Sequence, residues 1–238
     1  MKIYVKTFGM FLSTFMLTII LIGTSIAGPF AYVTNFWSND VSVVDLSTNS
    51  VIVTAQVGMN PIGVAVNSLG TRVYVANFRG DNLSVIDAGT NKSIATVSVG
   101  DGPSGVAVNT LGTRVYVANA GFNSLSVIDT GSNKVITNVP VGNSPEGVAI
   151  NPGGTRVYVA NSGSNNLSVI DTSTNQVVST VSVGVNPYGV AINPGGTRVY
   201  VANSGNNNLS VIDTSTNKVV STTPVGDSPR SLGNFIGP

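Results

Sequence analysis

The chain has 238 residues, of which 42% are hydrophobic and 9% are charged, and it contains neither cysteine nor histidine. These two absences exclude disulfides, cysteine nucleophiles, Ser-His-Asp triads, haem or copper ligation through these side chains and the usual zinc sites. The formal net charge of +1 excludes the strongly basic surface that nucleic-acid binding requires.

The N-terminal residues have the pattern of an export signal. Two lysines precede an apolar run from Phe8 to Ile22, and a Ser-Ile-Ala sequence ends at Ala27. This pattern predicts a signal peptide over residues 1–27 and a mature domain over 28–238, secreted, periplasmic or at the cell surface. An uncleaved membrane anchor is the alternative, although the run is shorter than the ~18 apolar residues of a typical span. We expect no membrane span after cleavage.

The rest of the chain is a repeat. The tetrapeptide Tyr-Val-(Thr/Ala)-Asn occurs five times at a constant spacing of 42 residues, at Tyr32, Tyr74, Tyr116, Tyr158 and Tyr200. A period of about 40 to 45 residues with four short apolar segments is typical of a β-propeller, in which each repeat is one blade. The sequence therefore predicts an all-β fold.

Four strands, a to d, can be placed in each repeat. In the fourth unit the pattern predicts strand a at Gly147–Asn151, strand b at Arg156–Asn161, strand c at Leu167–Asp171 and strand d at Gln176–Val183. Strands a to c are nearly continuous apolar runs, as expected for sheets that are covered on both faces. Strand d alternates, and two repeats carry proline inside it, Pro140 and Pro224; proline is confined to edge strands, so we assign strand d to the outer rim. Strand a begins Gly-Val-Ala, and its small residues at alternate positions fit a crowded place at the axis.

The two ends of the repeat region are complementary. The first unit begins at Phe30, directly in strand b, whereas the chain ends in an isolated strand a from Pro229 to Ile236. We therefore predict five four-stranded blades, with the ring closed by the C-terminal strand joining the N-terminal blade. Ser231 stands where the other repeats have glycine, so the match at this joint is imperfect.

The motifs Tyr-Val-Ala-Asn, Ser-Val-Ile-Asp and Pro-x-Gly-Val-Ala together resemble the YVTN-repeat family of β-propellers over about residues 30 to 238. The resemblance implies an exported scaffold, similar to archaeal surface-layer components and exported bacterial propellers, many with seven blades. Because this chain has only five units, a wider ring assembled from two chains is an alternative, although the complementary ends argue against it.

Charged residues recur at fixed places in the repeat. An arginine opens strand b and an aspartate closes strand c, so the antiparallel hairpin places the two side chains opposite each other. We predict structural ion pairs for Arg72, Arg114, Arg156 and Arg198 with Asp87, Asp129, Asp171 and Asp213. Asp45 has no such partner because Phe30 occupies the arginine position of its unit. A shared metal site is not expected, since each blade supplies a single carboxylate.

The repeats differ from one another mainly in the b-to-c and d-to-a loops, which emerge on one face of an antiparallel blade. Five different side chains stand directly before the glycine of strand a, or before Ser231 in its place, namely Ile62, Ser104, Glu146, Tyr188 and Arg230, and the b-to-c loops add Phe36, Trp37, Phe78, Arg79 and Phe122. Exposed aromatic side chains on one face favour a binding surface. Drift of older repeats in tolerant loops is the alternative explanation.

The sequence thus predicts an exported, non-catalytic scaffold that binds a protein or a glycan of the cell envelope through this variable face, without a cofactor. A purely structural envelope protein is the second interpretation. A carboxylate-dependent or calcium-dependent hydrolase of lactonase type, using Glu146, Asp101 and Asp227, is the third, disfavoured because no loop contains the close pair of carboxylates that acid and base catalysis requires. Nucleic acid is not an expected partner.

Overall fold

The computed structural model of the protein describes residues 30–233 and residue 236. These residues form nineteen strands and no helix. The predicted signal segment lies outside the described residues. Within them, no helix exists that is long and apolar enough to cross a membrane. The strands are β1 (Phe30–Asn35), β2 (Asp40–Asp45), β3 (Ser50–Gln56), β4 (Pro61–Val66), β5 (Arg72–Asn77), β6 (Asn82–Asp87), β7 (Lys92–Ser98), β8 (Pro103–Val108), β9 (Arg114–Asn119), β10 (Ser124–Asp129), β11 (Lys134–Pro140), β12 (Pro145–Ile150), β13 (Arg156–Asn161), β14 (Asn166–Asp171), β15 (Gln176–Ser182), β16 (Pro187–Ile192), β17 (Arg198–Asn203), β18 (Asn208–Asp213) and β19 (Lys218–Pro224).

The strands form five antiparallel sheets in which each strand pairs with the next one along the chain. Blade 1 consists of β1–β3, blade 2 of β4–β7, blade 3 of β8–β11, blade 4 of β12–β15 and blade 5 of β16–β19. The predicted strands of the fourth unit are confirmed to within two residues at each end. The inner strands β4, β8, β12 and β16 contact one another in sequence, which confirms that strand a lies at the axis. Strand d pairs only with strand c within its sheet, as predicted for the rim.

The loop chemistry explains why these turns form. In the a-to-b turn of blade 2, the Asn67 side-chain oxygen accepts hydrogen bonds from the backbone N–H groups of Thr71 and Arg72 at 2.8 and 3.0 Å, and Gly70 has a positive φ of 66°. In the c-to-d turn, Asp87 accepts a hydrogen bond from the Thr90 N–H at 2.9 Å. Asparagine at the end of this turn adopts φ of 54° at Asn91, a conformation that asparagine tolerates better than most residues.

The hydrophobic core lies between blades rather than within them. Each central cluster combines one face of a blade with the facing strands of the next. Between blades 4 and 5, for example, Tyr158, Leu167 and Val169 of one sheet pack against Val199 and Ile212 of the other. The equivalent tyrosines Tyr74, Tyr116 and Tyr158 are all at most 2% exposed. The tyrosine of the repeated motif is thus a packing residue.

The predicted ion pairs are confirmed in blades 2 to 5, where each strand-b arginine contacts the strand-c aspartate opposite it. In blade 1, Phe30 faces Asp45, as the sequence indicates. Asp45 instead accepts hydrogen bonds from the N–H and hydroxyl of Ser47 at 2.7 and 2.5 Å.

The two ends of the blade series are less covered than its middle. Val33 of blade 1 is 49% exposed, whereas its equivalent in blade 2, Val75, is 0% exposed. In the described part of the chain, blade 1 has three strands and no strand pairs with the free edge of β1. The carbonyl of Ser231 nevertheless lies against Gly189, the position that the next inner strand occupies at the other blade joints. Closure of the ring by the C-terminal strand stays a prediction.

Candidate functional site

Hydrogen bonds between neighbouring hairpins order the face that carries the b-to-c and d-to-a loops, which we call the upper face. A side-chain oxygen in each b-to-c loop accepts a hydrogen bond from a backbone N–H twenty-one residues later, in the d-to-a loop. The pairs are Asn39 with Asn60, Asp81 with Gly102, Asn123 with Ser144, Asn165 with Asn186 and Asn207 with Ser228, at 2.8 to 3.1 Å. Both loop sets therefore form one connected surface.

Four of the predicted side chains meet on this face near the axis. The buried Ser104 donates a hydrogen bond from Oγ to Oε2 of Glu146 at 2.7 Å. The guanidinium carbon of Arg230 lies 5.2 Å from the centre of the Tyr188 ring, a cation–π geometry. Ser104 also interacts with the Tyr188 hydroxyl and opposes the rise that burial causes in the pKa of Tyr188. We call Ser104, Glu146, Tyr188 and Arg230 the axial cluster; each comes from an equivalent place in a different repeat.

Burial and charge perturb the ionisable groups of the axial cluster. Burial raises the pKa of Glu146 above its usual value, and the Ser104 hydrogen bond and the charge of Arg230 oppose this shift. Burial is also the main cause of the raised pKa of Tyr188, and the negative charge of Glu146 adds to it. Clusters of this kind, with a partly desolvated carboxyl beside a hydroxyl and an aromatic ring, are common where proteins hold polar ligands.

Ile62 is the fifth of the predicted d-to-a loop residues, and it lies outside the axial cluster. Ile62 is apolar and partly buried, and its backbone carbonyl accepts a hydrogen bond from the Thr34 hydroxyl at 2.8 Å. It joins blade 1 to blade 2 and adds no polar group to the axial cluster.

The predicted aromatic residues lie on the b-to-c loops, but they differ in exposure. Trp37 is 82% and Phe122 65% exposed, so both present a large apolar surface to solvent. Phe36 is partly buried and packs edge-to-face with Trp37, with ring centres 4.9 Å apart. The partly buried Phe78 ring lies against Gly102 of the next blade, so it contributes to packing. Arg79 beside it is exposed.

The structure adds two exposed apolar residues that sequence reasoning missed on the upper face. Met59 is 57% and Val185 49% exposed, and both belong to d-to-a loops. Comparison of the loops between repeats could have found them, because the equivalent loop position in the other repeats is polar or charged.

A cavity of about 620 Å³ lies on the lower side of the axial cluster. It is lined mainly by valine, alanine and isoleucine of the four inner strands, together with Gly233, and no ionisable side chain lines it. Near the upper end the inner strands approach so closely that a Cβ at Gly105 or Gly147 would collide with the carbonyl of the next strand. The axial cluster therefore stands at the narrow end of this channel.

The carboxylates that a hydrolase would use are engaged separately. Asp227 accepts a hydrogen bond from Asn207 at 2.8 Å, and the Asp101 side chain lies against Gly121 of the neighbouring loop. Over the part of the chain that the structure describes, no group of three or more Asp, Glu, His or Cys side chains could hold a metal ion.

The five consecutive antiparallel sheets, packed face to face through their apolar sides, define the protein as a β-propeller. Residues 88–180, less than half of the chain, match the family model described as lactonase, 7-bladed beta-propeller. The comparison with curated proteins returns no match.

Two solved structures are similar in fold. A chain of the hydrazine synthase of Kuenenia stuttgartiensis has a TM-score of 0.64 and 20% identity, with 90% of this chain and 91% of that chain covered. A protein of unknown function from Desulfotomaculum acetoxidans DSM 771 has a TM-score of 0.74 and 17% identity, with 84% of this chain and 67% of that chain covered. At these identities the likeness concerns the fold alone.

Proposed function

We propose that this β-propeller is an exported, non-catalytic recognition protein of the YVTN-repeat type, which binds a protein or glycan of the cell envelope through its upper face. The observation that carries the proposal is the axial cluster, in which Ser104, Glu146, Tyr188 and Arg230 converge from four repeats. Consecutive equivalent blades together present one polar cluster that none of the blades possesses alone.

The aromatic residues of the same face give the second part of the argument. Trp37 and Phe122 expose apolar surface beside polar loops, an arrangement that suits sugar rings or protein side chains, because aromatic anchors dominate many binding surfaces.

The proposed export rests on the signal-peptide pattern of residues 1–27. Mass spectrometry of the protein recovered from the cell envelope or culture medium tests it, and a mature chain that still contains these residues would favour the anchor.

Titration with envelope glycans and peptidoglycan fragments tests binding, with the fluorescence of the single tryptophan, Trp37, as the signal. We expect a saturable change that Tyr188→Ala and Glu146→Gln each weaken at least tenfold. Leu111→Ser is the matched control, because Leu111 is 82% exposed on the opposite face. Equal affinity of all four proteins would contradict binding at the axial cluster; absence of any response would favour the structural interpretation.

A lactone hydrolase is the second candidate, supported by the family match over residues 88–180. In that case Glu146, with its raised pKa, is the residue of the axial cluster suited to exchange a proton. Hydrolysis of a panel of sugar and acyl lactones, measured with and without added calcium, distinguishes this candidate. Turnover that disappears in Glu146→Gln would establish it and would replace the non-catalytic proposal.

A further inference from the structure

The opposite face, which carries the a-to-b and c-to-d loops and which we call the lower face, has two prominent apolar side chains. Leu69 is 80% and Leu111 82% exposed, the highest exposures among the large aliphatic residues described. They occupy equivalent positions in the a-to-b loops of blades 2 and 3, whose inner strands contact each other. Blades 4 and 5 have Gly153 and Gly195 at the same position.

Hydrogen bonds hold these leucines on a fixed rim around the lower end of the axis. The Ser68 hydroxyl donates to the Thr110 carbonyl at 2.7 Å, and the Thr110 hydroxyl donates to the Pro152 carbonyl at 3.0 Å. Each of these bonds joins one a-to-b loop to the next. The exposure of Leu69 and Leu111 is therefore a property of ordered loops, in which the backbone cannot turn the side chains inward.

Charge is distributed unequally between the two faces. Among the residues that the structure describes, the lower face carries four arginines, three lysines and five aspartates, a formal charge of +2, whereas the upper face carries two arginines and five acids, a formal charge of −3. The four lower-face arginines are paired with aspartates. The positive charge available to a partner comes from Lys92, Lys134 and Lys218, which are exposed at the start of the rim strands.

Leucine and lysine occur together in the same two blades. Blade 2 has Leu69 and Lys92, and blade 3 has Leu111 and Lys134, whereas blade 4 has Gly153 and Gln176 at the equivalent positions. Within a blade, the a-to-b loop and the start of strand d are separated by about three strand spacings, or ~14 Å. A flat partner can therefore contact the leucines near the axis and the lysines at the rim simultaneously.

We propose that the lower face docks on a lipid bilayer surface with anionic headgroups, through Leu69 and Leu111 together with Lys92 and Lys134. The leucines enter the boundary between headgroups and acyl chains, and the lysines contact the anionic headgroups. A soluble polyanion would use the lysines alone and leave both leucines in water, so the bilayer fits the patch better. The inference is independent of the proposed function and leaves the upper face directed away from the lipid.

Vesicle binding of the full chain tests the proposal. The protein is mixed with sedimenting vesicles of phosphatidylcholine alone or with 30% phosphatidylglycerol, a fraction on the order of that in anionic membranes, at low and high salt. The test variants are Leu69→Gly with Leu111→Gly, and Lys92→Gln with Lys134→Gln. Blade 4 carries these residues at the same positions, so the fold accommodates them. All proteins keep residues 1–29, and any contribution of that segment is equal in the comparison.

We expect the parent protein to bind anionic vesicles at low salt. Removal of each lysine should lower the affinity about fivefold. The double leucine variant should bind at least tenfold more weakly. Val225→Ser, which removes an exposed apolar side chain from a d-to-a loop of the upper face, should bind as the parent does. Equal binding by the parent and both double variants, or equal binding to neutral vesicles, would overturn the proposal.

Site-specific labelling tests the orientation of the protein on the bilayer. Because the chain has no cysteine, a single introduced cysteine carries the label. Gly153→Cys places a label on the lower face, where nothing lies within 4 Å of an added Cβ, and Ser38→Cys places one on the exposed upper face. With an environment-sensitive nitrobenzoxadiazole label, vesicles should shift the emission of the lower-face label to the blue and leave the other unchanged. A shift at Ser38→Cys alone would mean that the opposite face binds lipid and would contradict the inference.

Discussion

Glu146 and the repeated aspartates show how the local environment separates carboxyl groups that a composition count treats alike. Burial raises the pKa of Glu146. At Asp171 and Asp213, hydrogen bonds from Ser173 and Ser215 are the first cause of a pKa lowered to about 2. The arginine opposite each aspartate contributes less than these turn hydrogen bonds do. The repeated aspartates therefore belong to turns, whereas Glu146 is a partly desolvated carboxyl of the axial cluster.

Glu146→Gln is expected to increase the free energy of unfolding at neutral pH. The pKa of Glu146 is higher in the folded protein than in the unfolded chain, so ionisation disfavours the folded state, and this penalty is complete above the folded pKa. Urea unfolding at pH 7 and below pH 4 should show a gain that is present only at the higher pH. Asp227→Asn, an exposed acid on the same face, is the control; a gain of the same size in both would indicate a general charge effect.

The turn aspartates predict the opposite pH dependence. Because the pKa values of Asp171 and Asp213 are lowered to about 2 by folding, their contribution to stability is present above their usual pKa and is lost as the pH falls from about 4 to about 2. Ser173→Ala removes the first cause of the shift at Asp171. Carbon-detected NMR titration should then show a higher pKa at Asp171 and an unchanged one at Asp213; an unchanged pKa at Asp171 would mean that the backbone hydrogen bonds of the turn and Arg156 suffice for the shift.

At the scale of the strands, the inner strand depends on its glycine. Gly63, Gly105 and Gly147 each face a backbone carbonyl of the next inner strand, and Gly189 faces the carbonyl of Ser231. The strands approach closely here because every blade narrows towards the axis. The sequence predicted crowding from the recurrent Gly-Val-Ala, but it could not reveal that the crowding partner is a carbonyl of another blade.

Gly147→Ala should destabilise the protein by about 1–3 kcal/mol, since the methyl group would collide with the Tyr188 carbonyl and push two inner strands apart. Because the displaced residue belongs to the axial cluster, we also expect weaker ligand binding. Thermal unfolding measures the first effect. The matched control is Gly153→Ala, where an added Cβ meets nothing within 4 Å and the smaller entropy of the unfolded chain should leave stability equal or slightly higher; a similar loss of stability in both variants would contradict the contact as the cause.

For the whole molecule, the joint between the last and first blades is less buried than the other joints. Tyr200 and Leu209 of blade 5 are only partly buried, whereas the equivalent Tyr158 and Leu167 are at most 1% exposed. Thr223 replaces the valine that is buried at Val97, Val139 and Val181. The end blades thus carry more polar, less covered faces, as terminal repeats commonly do.

Ring closure predicts a specific cysteine pair. In blade 5, Val190 of β16 faces Val201 of β17. Leu232 lies forty-two residues after Val190, and Val33 of β1 is the repeat equivalent of Val201. If the C-terminal strand pairs with β1 in the same register, Leu232 faces Val33. Val33→Cys with Leu232→Cys should form an intramolecular disulfide in the monomer, with no other cysteine to compete. Val33→Cys with Leu111→Cys should form none. Crosslinked dimers on a non-reducing gel would instead indicate that two chains exchange this strand.

The sequence by itself determined the blades, their strand order and the face on which the loops vary. It could do so because a 42-residue repeat, alternation along the rim strand and turn residues such as Asn67 and Gly70 are local features, readable without knowing how blades pack. It also identified the members of the axial cluster, since each breaks the repeat at one equivalent position.

Only the tertiary structure decided which of those residues act together. Ser104, Glu146 and Tyr188 lie 42 residues apart in sequence, and their contacts depend on how far each blade is rotated about the axis. The packing between blades also places Ile62 outside the axial cluster and the Phe78 ring against Gly102. It leaves Leu69 and Leu111 exposed on the lower face. The local sequence pattern specifies each blade. The distances between side chains of different blades depend on how whole sheets pack, and these distances determine the geometry of the axial cluster.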